Sequence, residues 1–159
     1  MRVVSSIADT WRNKRHEVIA SADGLTDYIK QATAATSPPS PVSRDLFDAA
    51  LEQRRKTFDR EDGGWGGAPK FPSSPSVGLL LRIHRRTGDR EALHMATHTL
   101  DRMARGGMYD HLGGGFHRYS VDGEWLVPHF EKMLYDNAQL SQVYLEAYQA
   151  TARPAFRRT

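Results

Sequence analysis

The sequence predicts an all-α fold carrying one β-hairpin, and three observations lead there. Apolar residues recur at helical spacing in segment after segment, with charged residues on the opposite side. Two loop-like stretches, 59–74 rich in Gly and Pro and 106–115 rich in Gly, separate the longest of these segments. Residues 116–127 instead carry Asp122-Gly123, the dipeptide that two-residue hairpin turns favour.

Composition limits the function. A chain of 159 residues is the size of one ordinary domain. Charged residues make up 26% and mean hydropathy is −0.60, which describes a globular chain in water rather than a disordered one. The net charge is +3, but Arg12, Arg15, Arg54, Arg55, Arg85 and Arg86 are scattered among acids, so no nucleic-acid partner is expected. With no cysteine, a disulfide framework, a thiol nucleophile and a Cys-based zinc site are excluded on this chain. No apolar run approaches the ~20 residues of a spanning helix, and the N-terminus lacks the order of a signal peptide. A cytoplasmic protein with no membrane partner is the expectation.

Taken in order, Val4, Ile7, Ala8, Trp11, Val18, Ile19 and Ala22 predict a helix over 3–22 that Gly24 ends, followed by a short one over 25–32. Residues 34–42 hold three prolines among small polar residues and read as an extended linker. Ser43 is an N-cap candidate for a helix to about Thr57 with Leu46, Phe47, Ala50 and Leu51 inward. In the loop 59–74, the glycines flanking Trp65 allow its ring two uses, a ligand platform or a plug over the core. Ser74-Pro75 opens a helix that stops at Gly88; Asp89 caps another running to Gly106-Gly107, the two forming an αα-hairpin. His94 and His98 stand four apart on the second, without an acidic third ligand, so no metal site is expected there.

The stretch 106–137 gathers three of the seven histidines with glycines, aromatics and charges. Pairing Val121 with Glu124 in the hairpin would put Phe116, Arg118, Ser120, Trp125 and Val127 on one face and His117 and Tyr119 on the other. Pro128 then opens a helix with Phe130, Met133, Leu134, Leu140 and Tyr144 buried, and His129, Lys132 and Asp136 on a neighbouring stripe. His129, Glu131 and Asp136 thereby meet Asp110, His111, His117 and Arg118 from the preceding loop. A histidine with a carboxylate partner serves as a general base near neutral pH, and a second acid protonates the opposite side. The same groups also suit a buried polar network that satisfies backbone donors and acceptors. His111, His117 and His129 with Asp110 or Glu131 match no standard metal spacing.

GGWGGAPKFP (63–72), GGMYDHLGGGFHRYSVDGEW (106–125) and VPHFEKMLYDNAQL (127–140) closely resemble the YyaL-like family of thioredoxin-domain-containing proteins, also called the spermatogenesis-associated protein 20 family. The resemblance implies a partial (α/α)6 six-hairpin toroid related to N-acylglucosamine 2-epimerases and glycosidases. On it, 1–33 are the closing helices of a thioredoxin-like domain, 34–42 the linker, and 43–159 the N-terminal part of the toroid. The chain would then be a fragment whose missing parts are its first partners, inactive alone. In epimerase relatives, histidines and acids move a proton on a sugar, and Phe116, His117, Arg118, Tyr119, Trp125, His129, Glu131 and Lys132 fall on the shared motifs. A sugar-like substrate follows, with His129 and His117 as acid and base and Glu131 and Asp136 as their carboxylates. Arg118 contacts an anion or a hydroxyl and Trp65 and Trp125 stack, with Asp110, His111, Phe116, Tyr119 and Lys132 completing the binding set. No cofactor is implied. The alternative is a redox-linked or scaffold protein whose toroid binds a protein partner.

Overall fold

The computed structural model describes residues 2–34, 41 and 43–159. The chain divides into two units, Met1–Val42 and Ser43–Thr159. Most of the expected linker 34–42 lies outside the described residues.

The first unit holds two helices, α1 (Arg2–Asn13) and α2 (Arg15–Thr33). The break falls at Lys14, where φ is −136°, and not at Gly24, through which α2 runs unbroken. A glycine inside a helix costs only about 1 kcal/mol. Beside the break, Arg15 turns onto the Trp11 ring at 4.6 Å. Among the described residues α2 buries none.

The second unit is built on α3 (Asp45–Thr57), α4 (Ser74–Thr87), α5 (Arg90–Arg105), α6 (Leu134–Thr151) and the short α7 (Pro154–Arg158). α4 and α5 form the expected hairpin. Gly88 takes φ 76° and returns its N–H to His84 O, and Asp89 caps Ala92 N at 2.8 Å. Arg55 on α3 reaches Asp89 at 2.5 Å and so ties α3 to this turn. Two caps differ from expectation. Arg44 rather than Ser43 precedes α3, while Ser73, at φ 51°, precedes α4. The apolar stripes of α4, α5 and α6 meet in one core that includes Val77, Leu80, Met95, Leu100, Leu140 and Tyr144. Tyr144 donates to Leu100 O at 2.7 Å, and burial pushes its phenol pKa well up.

The two loops cap one side of this core. Loop 58–73 lies across α5: Gly64 N donates to Thr99 Oγ1 at 2.8 Å, and a Cβ on Gly64 would stand 2.7 Å from the Trp125 ring. Loop 106–133 crosses itself, because a Cβ on Gly106 or Gly107 would fall 2.2 or 2.1 Å from the carbonyl oxygens of Trp125 or Leu126.

Segment 116–128 doubles back, but not as the expected hairpin. Val121 N pairs with Val127 O at 2.8 Å instead of Val121 opposing Glu124, and only isolated bridges form, Ser120 to Pro128 among them. The reason is Asp122. Its carboxylate accepts from the amides of Glu124, Leu126 and Val127 and from Ser120 Oγ, closing a wider loop that outcompetes a two-residue turn. The helix expected from Pro128 also starts later, at Leu134. Residues 128–133 stay irregular because their backbone pairs with the loop: His129 N with Tyr119 O at 2.9 Å, and Arg118 N with Glu131 O at 2.7 Å. Phe130 is therefore exposed, not in the core.

Candidate functional site

The extended run 116–120 alternates sides, as extended backbone does. Phe116 and Ser120 are buried, and His117 and Tyr119 turn toward 129–130. Tyr119 stacks on His129 with centroids 4.6 Å apart and planes at 18°. His129 Nδ1 lies 3.8 Å from Glu131 Oε2. Glu131 Oε2 lies 4.0 Å from Arg118 Nε, and Arg118 Nη1 donates to Asp136 at 3.3 Å and to the Tyr135 hydroxyl. Arg118 thus bridges two carboxylates, one of which partners a histidine. Burial pushes the Asp136 carboxyl pKa above the usual range, with Glu131 adding to the shift against the pull of Arg118.

His117 completes the group. Its ring meets Phe130 edge-on at 5.1 Å, and its Nδ1 is buried with no hydrogen-bond partner among the described residues. A polar atom left this way loses its bond to water without replacement, and such atoms collect at sites where another molecule supplies the partner. His129, Glu131, Asp136 and Arg118 together can hold a proton, accept one, and fix a hydroxyl between them.

Other expected site residues have structural duties. Trp65 is the plug of the two uses foreseen: its ring is buried and its indole N–H donates to Arg54 O at 3.0 Å. Trp125 is 0% exposed and donates to Asp62 O at 2.8 Å, so neither indole leaves a face to stack on a ligand. Phe116 is buried against Tyr144. An indole or phenyl ring stabilises a core by its large apolar area, and the backbone carbonyls take the two N–H groups. Asp110 accepts from Leu112 N, Gly113 N and Lys132 Nζ, and Lys132 also donates to Gly114 O at 2.8 Å. These bonds, the Gly113 amide first, hold the Asp110 carboxyl well below the usual range, a clasp on the glycine loop. His111 donates from Nε2 to Gly106 O at 3.0 Å. His94 stacks on His98, which donates to Glu61 O. Among the described residues no three His, Asp or Glu side chains converge as metal ligands.

Two residues at the site were not anticipated. Phe71 packs on Tyr119 with centroids 4.8 Å apart and planes tilted by 34°, and extends the ring column that ends on His129. Asn137 pairs both amide atoms with the backbone of Phe116. The signal for Phe71 was an apolar residue set between Lys70 and Pro72 in a loop, where no helical stripe requires it.

No family model matches the chain. In sequence it is similar to spermatogenesis-associated protein 20 of Rattus norvegicus, 37% identical over 161 residues that cover 97% of this chain and 20% of that protein. The Mus musculus protein of the same name is 39% identical over 154 residues, 92% of this chain and 20% of that one. An uncharacterized protein of Caenorhabditis elegans is 41% identical over 155 residues, 95% of this chain and 21% of that one. Among solved structures, a sugar epimerase from a ruminal bacterium superposes with a TM-score of 0.60 at 19% identity, covering 67% of this chain and 30% of that one. Cellobiose 2-epimerase from Bacillus thermoamylovorans gives 0.59 at 21%, covering 70% and 33%. These likenesses show the fold, part of an α/α toroid. The chain is a homologue of spermatogenesis-associated protein 20 and spans about a fifth of the length of those curated relatives.

Proposed function

We propose that the loop end of the second unit binds a sugar-like small molecule and moves a proton on it. His129, oriented by Glu131, takes or gives the proton. Asp136 and His117 are the other acid and base candidates, and Arg118 contacts a substrate hydroxyl. The observation that carries this reading is the His129–Glu131–Arg118–Asp136 cluster, in which a fixed cation bridges two carboxylates and one of these partners a histidine, at 3.8, 4.0 and 3.3 Å in that order. The toroid fold shared with sugar epimerases supports the substrate class by analogy of fold alone.

The test is solvent exchange. The chain is incubated in D2O with a panel of neutral aldoses and ketoses, and NMR follows loss of the proton on the carbon next to the carbonyl. The resemblance implies a chain inactive alone, but all four groups lie within 118–136 of this chain, so exchange at one sugar is expected here too, and His129→Gln lowers its rate by about 10²–10⁴-fold. Exchange that survives His129→Gln, or none with any sugar, would overturn the reading.

A second reading has its own observation. Val3, Val4, Ile7 and Trp11 of α1 are exposed, which fits a chain that docks a protein partner, with 1–33 as the closing helices of a thioredoxin-like domain. On that reading a partner binds with His129 replaced as well as with it present.

A further inference from the structure

The geometry points to Lys70 as the positioning residue of His129, acting through Phe71 and Tyr119 across two loops. Lys70 is 0% exposed, a burial that an ammonium tolerates only with its donors taken up. Its Nζ donates to Asp59 Oδ2 at 2.5 Å and to Gly123 O at 2.7 Å, and lies 5.3 Å from the centre of the Trp125 ring. Asp59 is itself fixed by the amides of Glu61 and Asp62, both at 3.0 Å. The lysine is therefore anchored at both ends, to its own loop and to segment 120–125.

That anchor sets a register. Lys70 and Ser120 exchange both backbone hydrogen bonds, at 2.8 and 2.9 Å. In extended chain successive side chains point to opposite sides, so with Lys70 held inward Phe71 must face outward. A one-residue slip would bury Phe71 and expose the charge. Facing outward, Phe71 lies on Tyr119 with centroids at 4.8 Å, and Tyr119 lies on His129 at 4.6 Å. The ring of His129 is held from one side by this column, while Glu131 stands 3.8 Å from its Nδ1. Lys70 touches neither His129 nor Glu131; it fixes the ring that fixes the imidazole. The consequence for catalysis rests on the proton-transfer reading above, whereas the positioning is measured without any reaction.

The test is NMR of the full chain with its histidines labelled. Stacking on Tyr119 shifts the His129 Cε1–H signal upfield of that of His16, whose side chain is exposed. Lys70→Met, which keeps length and loses charge, is expected to move the His129 signal downfield toward His16 in a chain that still unfolds cooperatively. Phe71→Ala, at a position 45% exposed, is expected to do the same without disturbing the buried pair. Should Lys70→Met fail to fold, Asp59→Asn weakens the same anchor and takes its place. Tyr144→Phe removes a buried hydrogen bond in the helical core and is expected to leave the His129 signal in place. A His129 signal unmoved in folded Lys70→Met, Asp59→Asn or Phe71→Ala overturns the proposal. So does a Tyr144→Phe shift as large as theirs. Sugar exchange plays no part in this readout, so the two proposals fail independently.

Discussion

Asn137, in the first turn of α6, joins the helix to the site through one side chain. Its Oδ1 accepts from Phe116 N at 2.7 Å, and its Nδ2 donates to Phe116 O and to Met133 O, both at 3.0 Å. The amide thus imitates a neighbouring strand at the point where the run 116–120 has none. Asn137→Ala leaves both polar groups of Phe116 unpaired and part-buried, a loss of about 1–3 kcal/mol. Thermal unfolding should fall by about 2–4 °C for each of those kcal/mol. An unchanged midpoint would mean that water replaces the amide at no cost. Asn137→Asp, which keeps the acceptor atoms and loses the donor, should destabilise as well.

Among elements, the helices were legible and the loops were not, for a physical reason. α4 and α5 announce themselves in Pro75, Gly88 and Asp89, because capping and φ preference act within a few residues. The wide loop at 122–126 and the late start of α6 depend on partners fixed only after folding: Asp122 reaching Val127, Glu131 O taken by Arg118 N. Asp122-Gly123 reads locally as a hairpin turn until its carboxylate is given three amides to accept. His129, Glu131, Arg118 and Asp136 are foreseen as a group, although the stretch that carries His129 and Glu131 is irregular rather than helical. Trp65 stays open between its two uses because a glycine-flanked tryptophan looks the same in sequence whether it plugs a core or faces a ligand, and the burial of Trp125 depends on a bond to Asp62 O that forms only on folding. These loops also predict an acid response. Asp59, Asp89, Asp110 and Asp122 all have lowered carboxyl pKa values. Burial is the largest single effect at Asp59 and Asp122 and raises them, but hydrogen bonds, joined by a nearby cation at Asp59, Asp89 and Asp110, together outweigh it. A lowered folded value contributes stability above the ordinary aspartate pKa of about 3.9, and that stability is lost as pH falls through the folded values. Asp136 has the opposite sign, since its raised value means that ionisation near and above that range costs stability. Acid titration should therefore erase the near-UV signal of Trp65 and Trp125 below about pH 4, before the helical far-UV signal is lost. Coincident loss of the two signals would contradict an origin in the loops.

At the scale of the whole molecule, burial is uneven between the two units. Among the described residues, the buried hydrophobic ones all belong to the second unit. In the first, Val3, Val4, Ile7 and Trp11 line one side of α1 and stay 71, 72, 64 and 44% exposed. Full burial of side chains of this kind yields about 1.5–3 kcal/mol each. Four on a single helix face form an apolar stripe of the sort that marks an interface or a tendency to associate. Opposite them, Asp9 and Arg12 pair along the helix at 3.8 Å in water, too exposed to offset the stripe. The isolated chain, 17.9 kDa as a monomer, is therefore expected to gain weight-average mass with concentration in sedimentation equilibrium. Ile7→Glu combined with Trp11→Gln should return it to the monomer, because a charge in the middle of the stripe makes its burial unfavourable. The near-UV signal of Trp65 and Trp125 should persist in that variant. Wild-type chain that stays monomeric at every concentration would show that these side chains are tolerated in water, and that α1 carries no association surface.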